Sequence, residues 1–144
     1  VSIVTSVPAI AFEVVSKKLR DTELPAADLV VGIGSGGIVP AAMTAHELQV
    51  PMVPLWLNYR DQNNKPRHSL PQLYQPFKIP FDVNHILLID DVVVSGKTLD
   101  AAMKLLPLNI RVTTLTLKGC ADIVLFPEIE SCVQWPWNPP RHNI

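Results

Sequence analysis

Two short apolar runs, "LVVGI" from Leu29 and "HILLI" from His85, each break into a polar loop and then into apolar residues at helical spacing. After the first, Ile38, Ala41, Ala42, Ala45 and Leu48 share a helical face; after the second, Leu99, Ala102, Met103 and Leu106 do. Runs this short, bounded by glycine or acidic residues, suit buried strands, so each block reads as strand, loop, helix. "MVPLWL" and the β-branched "IRVTTLTLK" supply two further strands. Pro54 has no N–H to give a ladder, which places "MVPLWL" near a sheet edge. A first helix follows Pro8, with Ala11, Val14, Val15 and Leu19 on one face.

Strands alternating with helices through short loops imply two right-handed βαβ units. The expected fold is therefore α/β: a Rossmann-like, mainly parallel sheet with helices on both faces. At 144 residues the chain suits one domain, 1–144, with one sizeable core. Residues 58–82 show neither helical nor strand period, and a loop this long inside a small domain is more often functional than idle. The tail beyond Asp122 is less regular, and three prolines in "VQWPWNPPRHNI" exclude a long helix there.

Twelve basic against thirteen acidic residues leave a net charge of −1. No broad basic surface for a nucleic-acid backbone is expected, so any phosphate selectivity must be local. The two cysteines, Cys120 and Cys132, form neither a C-x-x-C pair nor a zinc-like set with histidine. No apolar run is long enough to span a bilayer and no secretory signal is evident, so a cytoplasmic location is expected, without a membrane partner. The chain starts at Val1 without methionine, which suggests that a few native residues precede it.

Both conspicuous loops, "GIGSGG" and "DDVVVSGKT", follow strands, and in such a sheet ligands bind beyond the carboxyl ends of the strands. Glycine amides leading into a helix start make an anion site. "GIGSGG" also satisfies a dinucleotide fingerprint, although the next strand ends in Asn58 rather than an acid, and a plain tight turn remains a third reading. "SGKT" resembles the end of a nucleotide-triphosphate loop, but the required glycine five positions before Gly96 is Asp91. Two adjacent carboxylates at the end of a buried strand need donors or a metal. Alternatively, one caps the next helix and the other is solvated. A phosphorylated ribose fits the whole loop, its cis-diol at the acids and its phosphate at the helix start.

The strand "ILLI", Asp90-Asp91, "VVV" and Ser95-Gly96-Lys97-Thr98 resemble the binding signature of the type I phosphoribosyltransferases. "GIGSGGIVPAAMTAHEL" looks like their pyrophosphate loop and following helix, especially in bacterial xanthine-guanine (6-oxopurine) phosphoribosyltransferases. "NYRDQNNKPR" resembles their mobile catalytic loop within 58–82, Lys118 their purine-contacting lysine, and "VQWPWN" their small C-terminal hood, here 119–144.

The resemblance implies Mg2+-dependent transfer of the 5-phosphoribosyl group from phosphoribosyl diphosphate to a nitrogenous base, a 6-oxopurine, with release of pyrophosphate. It implies that Asp90 and Asp91 hold the ribose hydroxyls and, directly or through water, Mg2+. Asp90 to Thr98, including Val92, Val93, Val94, Ser95, Gly96 and Lys97, take the ribose 5-phosphate; Gly34, Ser35, Gly36 and Gly37 take pyrophosphate. Tyr59 and Arg60, with Lys65 and Arg67, close over the diphosphate, and Lys118, Cys132, Val133 and Trp135 meet the base. A homo-oligomer, dimer or tetramer, is implied.

The chain departs from the pattern at three positions. Val94 stands where 6-oxopurine enzymes usually carry an aspartate, Ser35 where the pyrophosphate loop often carries a basic residue, and Cys132 where an aromatic stacks on the base. An alternative is thus a regulatory module of the same fold that binds phosphoribosyl diphosphate or a nucleotide with little or no turnover.

Overall fold

The computed structural model describes residues 7–58, 72–73, 77–80 and 82–138. In chain order the elements are α1 (Phe12–Asp21), β1 (Leu29–Gly34), α2 (Ile38–Leu48), β2 (Met52–Asn58), β3 (Gln72–Leu73), β4 (His85–Val93), α3 (Lys97–Leu105), β5 (Arg111–Gly119) and β6 (Ile123–Val124). The strands lie in the order β3-β2-β1-β4-β5-β6. All pairings are parallel except β2 with β3. Buried strands read as continuous apolar runs because both faces of the sheet are covered.

Alternate residues of β4 serve the two faces. Leu87 and Ile89 pack with Val15 and Leu19 of α1 and Ala41 and Ala45 of α2. Ile86 and Leu88 pack with Leu99 and Ala102 of α3. Helices thus cover both faces, as expected. Pro54 lies in β2 before the short β3 ladder, which among the described residues engages Leu57 and Asn58 and does not call on an N–H from it.

Three expectations change. On α1 only Val15 and Leu19 are buried; Val14 is 44% exposed and Ala11 is the N-cap. On α3, Met103 is exposed while Leu99 and Ala102 are buried. β4 does not stop with Ile89, the last residue of "HILLI", but continues through Asp90, Asp91, Val92 and Val93, in register with β5 to Gly119.

The tail joins the core. Trp135 is 2% exposed and packs on Phe126 and Trp137, with ring centroids 5.6 and 5.8 Å apart. Gln134 bonds the chain before α1, its N–H donating to Pro8 O (2.8 Å) and its carbonyl accepting from Ile10 N (2.9 Å). Among the described residues no helix is long and apolar enough to cross a membrane.

Candidate functional site

The turn after β1 folds back over the end of β4. A β-carbon on Gly37 would stand 2.5 Å from Ile89 O, and one on Gly36 would stand 2.6 Å from both carboxylate oxygens of Asp91. Only glycine allows backbone to approach this closely. Gly37 then opens α2, and the Gly34–Ser35 peptide is cis. The two loops singled out in the sequence therefore meet at the carboxyl edge of the sheet, with the glycine loop lying against the acid pair.

Asp90 is 8% exposed, and its carboxylate accepts a bond from Asp91 N (2.9 Å); that of Asp91 accepts one from Val92 N (2.8 Å). Burial, followed by the adjacent Asp91 charge, pushes the Asp90 acid well above the usual carboxylate range. Beyond Val93 the chain leaves the sheet. Val94 is 88% exposed, Ser95 is exposed, and Gly96 is the N-cap of α3 with φ +80°. The N-cap Gly96 has no side chain to cap α3, and among the described residues the Lys97 N–H donates a long bond to Ser95 Oγ (3.4 Å). Amides of a helix's first turn have no partner within the helix, so this end presents donors to an anion.

On the neighbouring strand, Lys118 pairs in register with Val92, and its ammonium donates to Ser131 O at 2.7 Å. This ties the end of β5 to the segment carrying Cys132, which is exposed, and Val133, which is half-buried against the core. Trp135, expected at the base, is 2% exposed, with its ring packed against Phe126 and Trp137. Val92 and Val93 are strand residues, with Val93 buried, whereas the side chain of Val94 is exposed. Tyr59, Arg60, Lys65 and Arg67 lie outside the described residues.

Sequence reasoning passed over two residues. Thr116, wholly buried in β5, places its Oγ1 2.9 Å from Asp91 O and 2.9 Å from Lys118 O. Trp56, at the end of β2, lies against Gly34. Neither carries a sequence signal, because threonine and tryptophan are ordinary strand residues.

The described residues include no cluster of three or more His, Cys, Asp or Glu side chains able to hold a metal. Two carboxylates nevertheless suit Mg2+, which keeps waters and takes substrate phosphate oxygens rather than sitting in an all-protein cage. The desolvated Asp90 acid beside Asp91 is the kind of pair that a hard cation or a diol would relieve.

Comparison with known proteins bears on the family and the fold. The family model described as phosphoribosyl transferase domain matches residues 8–116. The "Bifunctional protein PyrR" of Corynebacterium diphtheriae is 33% identical over 108 residues, covering 68% of this chain and 55% of that protein. Its namesake in Limosilactobacillus reuteri is 28% identical over 112 residues, covering 68% and 63%. The chain thus spans 55% and 63% of the length of these two relatives. Among solved structures, a purine phosphoribosyltransferase from Pyrococcus horikoshii superposes with TM-score 0.68 at 20% identity, covering 90% of this chain and 88% of that one. The xanthine-guanine-hypoxanthine phosphoribosyltransferase of Helicobacter pylori follows at TM-score 0.66 and 15% identity, covering 81% and 80%. At these identities the structural likeness concerns the fold.

Proposed function

Because this chain belongs to the phosphoribosyl transferase domain family, whose model matches residues 8–116, we propose that it transfers a 5-phosphoribosyl group from phosphoribosyl diphosphate to a nitrogenous base. The observation that carries the reading is the contact of Gly36 with Asp91. It puts an amide-rich loop, an acid pair and the uncapped start of α3 around one sheet edge, an arrangement suited to diphosphate, ribose and 5-phosphate. We read residues 1–144 as one such domain, working as a dimer or tetramer in the cytoplasm.

In this reading Asp90 and Asp91 accept hydrogen bonds from the ribose hydroxyls and hold Mg2+, directly or through water. When bound, Mg2+ neutralises diphosphate charge and makes pyrophosphate a better leaving group. The Gly37 N–H is held by Ile33 O (2.8 Å), so the amides of residues 35 and 36 stabilise the negative charge that grows on the leaving oxygens, and the two carboxylates face the positive charge that grows on the ribose. The bond from the anomeric carbon to the diphosphate oxygen breaks, its electron pair leaving with pyrophosphate. A base nitrogen bonds to the same carbon and gives its proton to water, since Val94 has no group to take it. By resemblance, Tyr59 and Arg60 shield the leaving group.

A 6-oxopurine is the base class we favour. Lys118 carries an ammonium donor at the end of β5, suited to an exocyclic oxygen, and backbone at Val133 lies on the segment tied to it through Ser131. Val94 supports a second reading. Its exposed methyl groups offer no proton acceptor and Ser35 adds no positive charge, so a regulatory module that binds phosphoribosyl diphosphate with little turnover has the same outline.

Pyrophosphate release is measured with Mg2+, phosphoribosyl diphosphate and, in turn, guanine, hypoxanthine, xanthine, adenine, uracil and orotate. Release with a 6-oxopurine is expected. Calorimetric binding without release from any base would favour the regulatory reading. If binding is absent, or survives in an Asp90→Asn, Asp91→Asn double variant, the site assignment fails.

A further inference from the structure

Thr116 is a wholly buried hydroxyl at the edge where the acid pair sits. It lies opposite Asp90 in the β4–β5 register. The β1–β4 ladder ends at Gly32 opposite Ile89, so the strand support for Asp91 comes from the β5 side. There, Thr116 Oγ1 stands 2.9 Å from Asp91 O and 2.9 Å from Lys118 O. One hydroxyl proton is offered to two carbonyls, a three-centre arrangement that fixes both peptide groups relative to one side chain. The strand's own carbonyl at Thr116 accepts from Leu125 N at 3.0 Å, which holds the threonine's backbone from the other side.

We propose that Thr116 is a positioning residue whose hydroxyl sets the acid pair on β4 in register with Lys118 on β5, aligning the ribose half of the site with the base half. The inference rests on the proposed phosphoribosyl transfer, since it gives those halves their meaning. Thr116 touches neither substrate. Its removal leaves each half intact and loosens their relation, and a reaction that joins two bound partners depends steeply on that relation. The signature is therefore a fall in kcat with little change in the KM for phosphoribosyl diphosphate.

Valine is isosteric with threonine but lacks the donor, and serine keeps the donor while losing a methyl group. Thr116→Val is expected to lower kcat about tenfold or more, with KM for phosphoribosyl diphosphate changed by less than about twofold. Thr116→Ser is expected to keep most of kcat, and Thr116→Val in a Lys118→Met background is expected to cost much less than in the parent. Pyrophosphate release is measured with the same six bases and calorimetry with phosphoribosyl diphosphate and Mg2+, on variants whose thermal midpoints are recorded alongside.

A Thr116→Val protein with parental kcat, or a Thr116→Ser protein as impaired as Thr116→Val, overturns the inference alone. So does a Thr116→Val defect that is additive with Lys118→Met. A parent chain that releases pyrophosphate with none of the bases overturns both the inference and the activity it rests on.

Discussion

Gly36 and Asp91 touch across the carboxyl edge of the sheet: a β-carbon at position 36 would stand 2.6 Å from both oxygens of the carboxylate. The glycine loop and the acid pair therefore cannot move independently. Either the loop lifts or the carboxylate turns if a side chain is added. Gly36→Ala is expected to weaken binding of Mg2+ with phosphoribosyl diphosphate about tenfold, equivalent to about 1.4 kcal/mol, as read by calorimetry. Because residue 36 lies in a loop outside the core, the thermal midpoint should move by no more than a few degrees. Unchanged affinity would separate the loop from the acid pair.

Asp90 predicts an unusual pH dependence. Its acid is pushed up by burial and then by Asp91, from an ordinary value of 3.8, so the folded protein holds this proton more tightly than the unfolded chain does. The contribution to stability is fully present below about pH 4 and is lost as pH rises through the raised folded value. Asp90→Asn removes that loss. The variant is expected to melt above the parent at pH 7, with the gap narrowing towards pH 4, in paired thermal melts. A gap that widens on acidification would mean the carboxylate is stabilised as an anion by groups facing it.

Much of this edge was legible before the fold was known, for definite physical reasons. "LVVGI" and "HILLI" have to be buried, and a buried strand followed by a helix leaves its loop at one predictable edge, so the meeting of "GIGSGG" with Asp90-Asp91 follows from topology alone. The extent of β4 does not follow. Asp90 and Asp91 look like the end of a strand because charge rarely lies inside one, yet pairing with β5 carries the ladder on to Val93. Thr116 was hidden for the opposite reason: in a β-branched run its hydroxyl has no local signature, and its partners lie on the neighbouring strand and two residues ahead.

Val94 offers a gain-of-function test. At 88% exposed its side chain contributes almost nothing to the core, so a polar substitution there should be tolerated. By resemblance to the 6-oxopurine enzymes, Val94→Asp restores a group able to take the base proton, an effect worth about 10² or more in rate. Pyrophosphate release with guanine or hypoxanthine is expected to rise by about that factor, while affinity for phosphoribosyl diphosphate stays within about threefold. A variant no faster with any 6-oxopurine would count against that class of base.

Trp135 separates core from ligand contact. Nothing in "VQWPWN" tells which tryptophan turns inward, because that depends on Gln134 returning to bond the chain between Pro8 and Ile10, a pairing with no local signal. Once that pairing forms, the Trp135 ring is enclosed by Phe126 and Trp137 and shares the core with Leu125 and Leu19. Trp135→Ala is expected to cost about 3–5 kcal/mol of stability in denaturant unfolding, from lost burial and the cavity left behind. Trp135→Phe keeps an aromatic in the slot and should leave KM for the accepted base within about twofold, since the ring is spent on its core neighbours. A base KM that rises sharply in Trp135→Phe, with the melting midpoint nearly unchanged, would return this residue to the base site.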